Sequence, residues 1–281
     1  MRQKLSKPLT RRQMLAVLGA SAAAPAAGAS WGFGVEPRWP EAVSVRLGLS
    51  GFPRPVKTVL VSDPHMGPSG GCSHKAADMI RAFSPEMLFV TGDLVTDGEH
   101  LPLCLRWLSQ FSPPLGAWFV PGNWEHRNAT LKYGLVDKLS AVGVRSLVNR
   151  GVEVETGAGA FFLAGVDDLV EGEGDINRAW SFRRRDLCTI LLSHSPVAVQ
   201  YVKKRRCDLI LAGHTHGGQV RLPLVGALAT PPGSAGLEMG LYTFSHTRVY
   251  VNRGLGTSVF PLRFLCRPEV TLLTLEPSPP A

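Results

Sequence analysis

Short apolar runs along this chain end repeatedly in residues able to hold a metal. Val59-Leu60-Val61 leads into Ser62-Asp63-Pro64-His65, Leu88-Phe89-Val90 into Thr91-Gly92-Asp93, and Leu209-Ile210-Leu211-Ala212 into Gly213-His214-Thr215-His216. Runs of this length, rich in β-branched residues and bounded by Gly or Pro, predict buried strands. Between them the spacing lengthens to the helical period: Ala76, Met79, Ile80 and Phe83 share one face of a helix predicted over 74–83. The first half therefore reads as strand 58–62, helix 74–83, strand 87–91, helix 101–110, strand 117–120 and helix 130–142. This alternation predicts an α/β sheet with crossover helices, whose loops gather at the carboxyl ends of the strands.

The second half changes rhythm. Short strands are predicted near 145–148, 152–155 and 160–165, a mixed segment over 175–186, strand 188–193 running into His194, a short helix over 197–203 and strand 208–212. Further strands follow near 219–222, 240–244, 247–252 and 269–275, a pattern that a second sheet packed on the first explains better than a continued βαβ series. Residues 31–55 read as a linker and an edge strand, the latter in the alternation Val43-Ser44-Val45-Arg46-Leu47. Residues 56–276 read as one domain and 277–281 as a disordered, Pro-rich tail.

Residues 1–30 are excluded from the fold. Thr10-Arg11-Arg12-Gln13-Met14-Leu15 resembles the twin-arginine export motif, and the Ala- and Gly-rich run that follows is short and small-chained for a membrane span. Ala27-Gly28-Ala29 supplies a small-x-small cleavage site. The expectation is a signal peptide, export through the twin-arginine translocase, and a place in the periplasm or on the outer face of the cytoplasmic membrane.

Composition narrows this picture. The 281 residues, 44% of them hydrophobic, can bury the core of one large domain. The net charge of +8 suggests nucleic acid, but Arg2, Lys4, Lys7, Arg11 and Arg12 all lie in the leader, leaving 25 cations against 22 acids. With no stripe of aromatic and basic side chains, nucleic acid is an unlikely partner. Cys72, Cys104, Cys188, Cys207 and Cys266 show no metal-ligand spacing and read as small buried apolar residues.

The chemistry lies at the strand ends. Asp63 and His65 are two apart, so both can face one side. Asp93 and Asn123 each follow a glycine that lets the chain turn inward; the carboxylate can bridge two cations, and the amide oxygen is a neutral ligand. His194, His214 and His216 complete a set of seven that suits borderline divalent metals: manganese, iron(II), zinc or cobalt.

In order and type, Asp63-x-His65, Gly92-Asp93, Gly122-Asn123, His194 and Gly213-His214-Thr215-His216 resemble the motifs of the calcineurin-like metallophosphoesterase superfamily, over about residues 57 to 220. Gly240-Leu241-Tyr242 and Val249-Tyr250-Val251-Asn252-Arg253-Gly254-Leu255-Gly256 are similar to an exported or membrane-associated bacterial branch of it. The resemblance implies a four-layer α-β-β-α sandwich of two mixed sheets flanked by helices. It implies one metal on Asp63, His65, Asp93 and His216 and a second on Asp93, Asn123, His194 and His214, with Asp93 between them. A hydroxide shared by the two ions would attack phosphorus in line with the leaving oxygen.

One position departs from the family pattern. Where a histidine usually contacts the scissile phosphate, this chain has Trp124, and His126 stands two residues on. His126 could therefore supply the proton, making Asp93, Asn123 and His126 the expected catalytic set; otherwise Trp124 shapes the pocket and the leaving group departs unaided. Either way phosphodiesters or pyrophosphates of envelope or lipid origin are the expected substrates. Arg253 reads as a phosphate contact or as half of a structural ion pair. Leu222-Pro223-Leu224-Val225 and Val259-Phe260-Pro261-Leu262 read as a peripheral membrane contact or as buried strand ends. The alternatives are a UDP-2,3-diacylglucosamine pyrophosphatase of lipid A synthesis, which conflicts with export, and a non-catalytic envelope-binding protein that keeps the metals.

Overall fold

Strands hidden on both faces organise the molecule, which a computed structural model describes over residues 28–67, 73–128, 131, 134–203 and 205–278. The leader up to residue 27, Cys72 and the last three residues lie outside these. The strands are β1 (Glu41–Ser50), β2 (Val56–Val61), β3 (Met87–Thr91), β4 (Ala117–Val120), β5 (Val144–Ser146), β6 (Arg150–Glu155) and β7 (Ala160–Gly165). They continue as β8 (Thr189–Leu192), β9 (Leu209–Ala212), β10 (Arg221–Leu222), β11 (Gly226–Ala227), β12 (Gly240–Phe244), β13 (Thr247–Val251) and β14 (Glu269–Ser278). One six-stranded sheet runs β1-β14-β2-β3-β4-β5 and the other β12-β13-β9-β8-β7-β6, while β10 and β11 form a small hairpin. Both large sheets are mixed: β14 is antiparallel to β2 in the first, and β6 to β7 and β12 to β13 in the second.

Alternation along each strand builds the layers. Leu60, Met87, Phe89 and Trp118 of the first sheet pack against Phe161, Leu163, Ile190 and Leu211 of the second. Their neighbours Val59, Val61, Leu88 and Val90 face outward onto the helices Ser73–Phe83 and Leu101–Leu108 through Ala76, Ile80, Cys104 and Leu108. Phe162, Ala164, Leu191 and Ile210 likewise face Ile176, Ala198 and Val199 on the far side. The result is the expected order of helix, sheet, sheet, helix.

Several boundaries differ from expectation. Residues 31–38 are two packed helical turns, Trp31–Val35 and Glu36–Arg38, rather than a linker, and Glu36 is buried with Cys266 N–H donating to its carboxylate. Of the helix expected over 130–142, the described residues include Leu135–Ala141, which starts where Gly134 takes the left-handed conformation at φ 73°. The first two residues of the expected tail are ordered: Pro277 and Ser278 extend β14 alongside Leu49 and Ser50 of β1. Cys104, Cys188, Cys207 and Cys266 are buried free thiols, and burial pushes each one's pKa up.

Candidate metal centre

Five strands from the two sheets end at one rim. The turn after β2 carries Asp63 and His65, that after β3 Asp93, that after β4 Asn123, that after β8 His194, and that after β9 His214 and His216. All seven are buried. The close approach leaves no room for side chains between them: a Cβ on Gly122 would lie 2.4 Å from Asp93 Oδ1, and one on Gly213 would lie 1.7 Å from Ser62 Oγ. Five of the seven, Asp63, His65, Asp93, His214 and His216, hold left-handed backbone at φ between 40° and 69°. Non-glycine residues rarely adopt it, and such strain clusters at functional sites.

The side chains face one another at ligand spacing. His65 Nε2 and His194 Nε2 each lie 3.4 Å from Asp93 Oδ2, and His216 Nε2 lies 3.3 Å from Asp63 Oδ1. Donors about 2.1 Å from a common ion stand roughly 3.0 Å apart at 90° and roughly 3.4 Å apart at the tetrahedral angle, so these separations match the edges of coordination polyhedra. Asp63, His65 and His216 form one close group and Asp63, Asp93 and His194 another, so Asp63 belongs to both. Asn123 Oδ1 and His214 Nδ1 join the second group at 3.1 Å and 3.0 Å from His194 Nε2. Asp63 Oδ1 and both nitrogens of His65 are buried without a hydrogen-bond partner. Buried polar atoms rarely stay so, and a divalent cation fits this donor set.

The surroundings aim these atoms. The Thr91 carbonyl accepts from His194 Nδ1 at 2.7 Å, and the Pro232 carbonyl accepts from His214 Nε2 at 2.7 Å, leaving the opposite ring nitrogens to face the cluster. Asp63 Oδ2 accepts from His214 N–H at 2.9 Å and from the Ser62 hydroxyl, and Asp93 Oδ1 accepts from Trp124 N–H at 2.9 Å. Burial opposes charge here, yet the facing imidazoles hold the Asp63 and Asp93 carboxyls well below the usual range. Against the same burial, Asp93 and Asp63 hold His194 well above the ordinary imidazole value; burial wins at His214 and His216, which are lowered. Positive charge is thus favoured at the centre of the cluster.

Sequence reasoning missed Glu125. Its buried carboxylate accepts from the backbone N–H groups of Asp93 at 2.9 Å, Leu94 at 2.8 Å and Gly122 at 2.7 Å, clamping the Asp93 turn to the Asn123 turn. Burial and the Asp93 charge push its pKa up to about 7, against these hydrogen bonds. The available signal was its place three residues after Gly122, where a glutamate caps a helix start.

Two expected site residues lie elsewhere. Residues Asn123–Arg127 form a short helix, so Trp124 and His126, two positions apart, point to nearly opposite sides. His126 Nε2 pairs with Asp167 Oδ1 at 2.6 Å and borders a separate cavity of about 440 Å³. It is therefore not placed to protonate a leaving group at the cluster. Arg253 is also engaged, bonded to Glu269 at 2.7 Å and to Glu41, so of its two readings the ion pair is the one found. Arg263, fully buried, donates to the Arg253, Gly256 and Cys266 carbonyls.

A cleft of about 450 Å³ opens over the cluster, walled by Asp93, Asn123, Trp124, Arg127, His214 and His216 among others. The Trp124 ring stands edge-on to His65 with centroids 5.3 Å apart, and the Arg127 guanidinium lies 5.8 Å from that ring while pairing with Glu171. Trp124 thus does border the cleft, and Arg127 brings a cation that the sequence reading did not single out.

Comparison with known proteins agrees with this arrangement. Residues 56–218 match the family model described as calcineurin-like phosphoesterase. The chain is 31% identical to the metallophosphoesterase YkuE of Bacillus subtilis over 290 residues, covering 96% of this chain and 99% of that one. It is 31% identical to the phosphodiesterase YaeI of Escherichia coli over 281 residues, covering 95% and 99%. A transmembrane protein with a metallophosphoesterase domain from Danio rerio is 32% identical over 84% of this chain, which spans 57% of that protein's length.

Proposed function

As a member of the calcineurin-like phosphoesterase family the chain is a hydrolase of phosphoric esters, and we propose that it cleaves phosphodiester or pyrophosphate bonds in molecules of the cell envelope. The family is dimetal-dependent. In this reading Asp63, His65, Asp93, Asn123, His194, His214 and His216 hold two divalent ions, of manganese, iron, zinc or cobalt. The observation that carries it is the convergence of all seven on one buried cluster, with Asp93 Oδ2 equidistant from His65 and His194. When bound, the ions supply an activated water and offset charge on the phosphoryl group.

The chain's own residues then set the substrate. Thr91 and Pro232 fix the imidazoles, Glu125 fixes the Asp93 and Asn123 turns, and the Trp124 edge narrows the entrance over His65. His126 faces away, so the leaving oxygen gains no imidazole proton from it and must depart as a stable anion. A phosphate leaving from a pyrophosphate does so, as does the acidic alcohol of an activated diester; a simple alkoxide does not. Arg127 can release Glu171 to meet a second negative charge on the substrate. The phosphodiesterase name of YaeI favours diesters. The envelope setting draws on the twin-arginine-like motif, whose residues lie outside the described part of the chain; no helix of the described residues is long and apolar enough to cross a membrane.

The test is hydrolysis of bis-p-nitrophenyl phosphate, a nucleotide pyrophosphate and glycerol phosphate with manganese added. We expect turnover of the first two, loss of both on chelation or in Asp93→Ala, and little turnover of the alkyl monoester. Equal rates on glycerol phosphate would overturn the substrate assignment and leave the hydrolase intact.

A further inference from the structure

The apolar rim of the cleft carries two costs at once. Three segments are tied into a collar: the Gly32 carbonyl accepts from Arg263 N–H at 3.0 Å, the Gln219 carbonyl from Phe264 N–H at 2.8 Å, and the Phe264 carbonyl from Arg221 N–H at 2.9 Å. The Gln219 amide clasps the Ser258 backbone at 2.6 Å and 3.0 Å. From this collar Trp31, Phe33, Leu224, Val225, Val259 and Phe260 project into solvent, with Leu224 fully exposed and Val259 81% exposed. Val259 and Phe260 also wall the cleft.

Leu224 at φ 66°, Val259 at φ 65° and the exposed Leu265 at φ 52° are also left-handed, where glycine or asparagine would be easier. A β-branched residue there is a true outlier. Side chains that are exposed, apolar and strained together gain nothing from the isolated fold, and such a patch marks a contact surface.

We infer that this collar docks on a lipid bilayer, holding the mouth of the cleft at the membrane plane. Leu224 with Val225 and Val259 with Phe260 stand on the tips of two separate loops, beside Trp31 and Phe33 on a helical turn, suited to sinking into a fluid interface rather than to matching one rigid face. Beside them Trp31 and Trp39 pack edge to face at 5.7 Å, and the Arg267 guanidinium lies 4.1 Å over the Trp39 ring. Indole with an adjacent cation is the composition of an interfacial belt.

Docking is read without turnover, so its failure is separate from any failure of the hydrolytic reading. The experiment compares co-sedimentation of the full chain and of Leu224→Ser/Val225→Ser with vesicles of phosphatidylglycerol and phosphatidylethanolamine. Both positions are exposed and outside the cleft, so the variant should keep its urea midpoint and its turnover of soluble bis-p-nitrophenyl phosphate. The vesicle partition coefficient should fall roughly tenfold or more. Absent binding by the full chain would overturn the proposal. So would equal binding by the variant, which would assign the membrane contact to the leader, or a dimer in sedimentation equilibrium that the substitutions split without vesicle binding.

Discussion

Replacing Glu125 tests whether the metal cluster is built by its ligands alone or by the carboxylate that joins two of their turns. One oxygen accepts from Asp93 and Gly122 N–H, the other from Leu94 N–H. In Glu125→Gln the amide oxygen can serve one side, and the new NH2 then meets a donor on the other. One buried N–H is left unpaired in the better orientation and two in the worse, at about 1–3 kcal/mol each. In Glu125→Ala all three lose their acceptor, a gross loss of roughly 3–9 kcal/mol, offset in part because a buried carboxylate near Asp93 is removed. The Asp93 and Asn123 turns are then free to shift, and losing such support lowers metal affinity by about 10- to 100-fold. Titration calorimetry with manganese, alongside urea unfolding, reads both effects. The order of affinity should be wild type, then Gln, then Ala. Unchanged manganese affinity in Glu125→Ala, with the protein folded, would refute the reasoning.

Three further predictions address the residues that moved between sequence and structure. Arg127→Ala should raise KM for bis-p-nitrophenyl phosphate roughly three- to tenfold with kcat little changed, since Arg127 walls the cleft but touches none of the seven candidate ligands; an equal fall in kcat would place it in the chemistry instead. His126 is raised by its bond to Asp167, which outweighs burial, so its contribution to stability is full below the ordinary imidazole range and fades as pH climbs through the raised value. Asp167, pushed up by burial but lowered overall by His126, contributes above the usual carboxylate range and loses this as pH falls through the lowered value. The melting-temperature gap between wild type and His126→Asn should therefore be widest at mildly acidic pH and narrow toward alkaline pH, with kcat/KM within about twofold; a collapse of turnover would restore His126 as the proton donor. Arg253→Met leaves the Glu269 carboxylate buried without its cation and should cost on the order of 3 kcal/mol in chemical denaturation while sparing KM; a raised KM at unchanged stability would make it a substrate contact after all.

Much of the fold was legible because its strands are buried on both faces and read as unbroken apolar runs; Met87–Thr91 and Ala117–Val120 fall where the sequence predicts. The seven candidate ligands were legible for a related reason, each following such a run. What escaped depends on partners distant in sequence. β14 reaches Ser278 because β1 lies beside it, and Pro277 is tolerated there because β2 pairs with β14 only as far as Leu275. Arg253 finds Glu41 across 212 positions and Glu269 across 16. His126 was misread because Asn123–Arg127 coils into a helix too short to show a period.

The left-handed turns at Asp63, His65, Asp93, His214 and His216 have a consequence for how the centre comes into being. Each disfavours its own conformation by roughly 1–2 kcal/mol in an isolated segment, so no short peptide carrying Asp-x-His or Gly-His-Thr-His would hold these groups in register. The sheets must close first, and on the proposed reading a cation would then enter a cage already shaped for it. Loading should accordingly track the folded fraction through a denaturation series, and a fragment ending before β9 should bind no tighter than free imidazole and carboxylate.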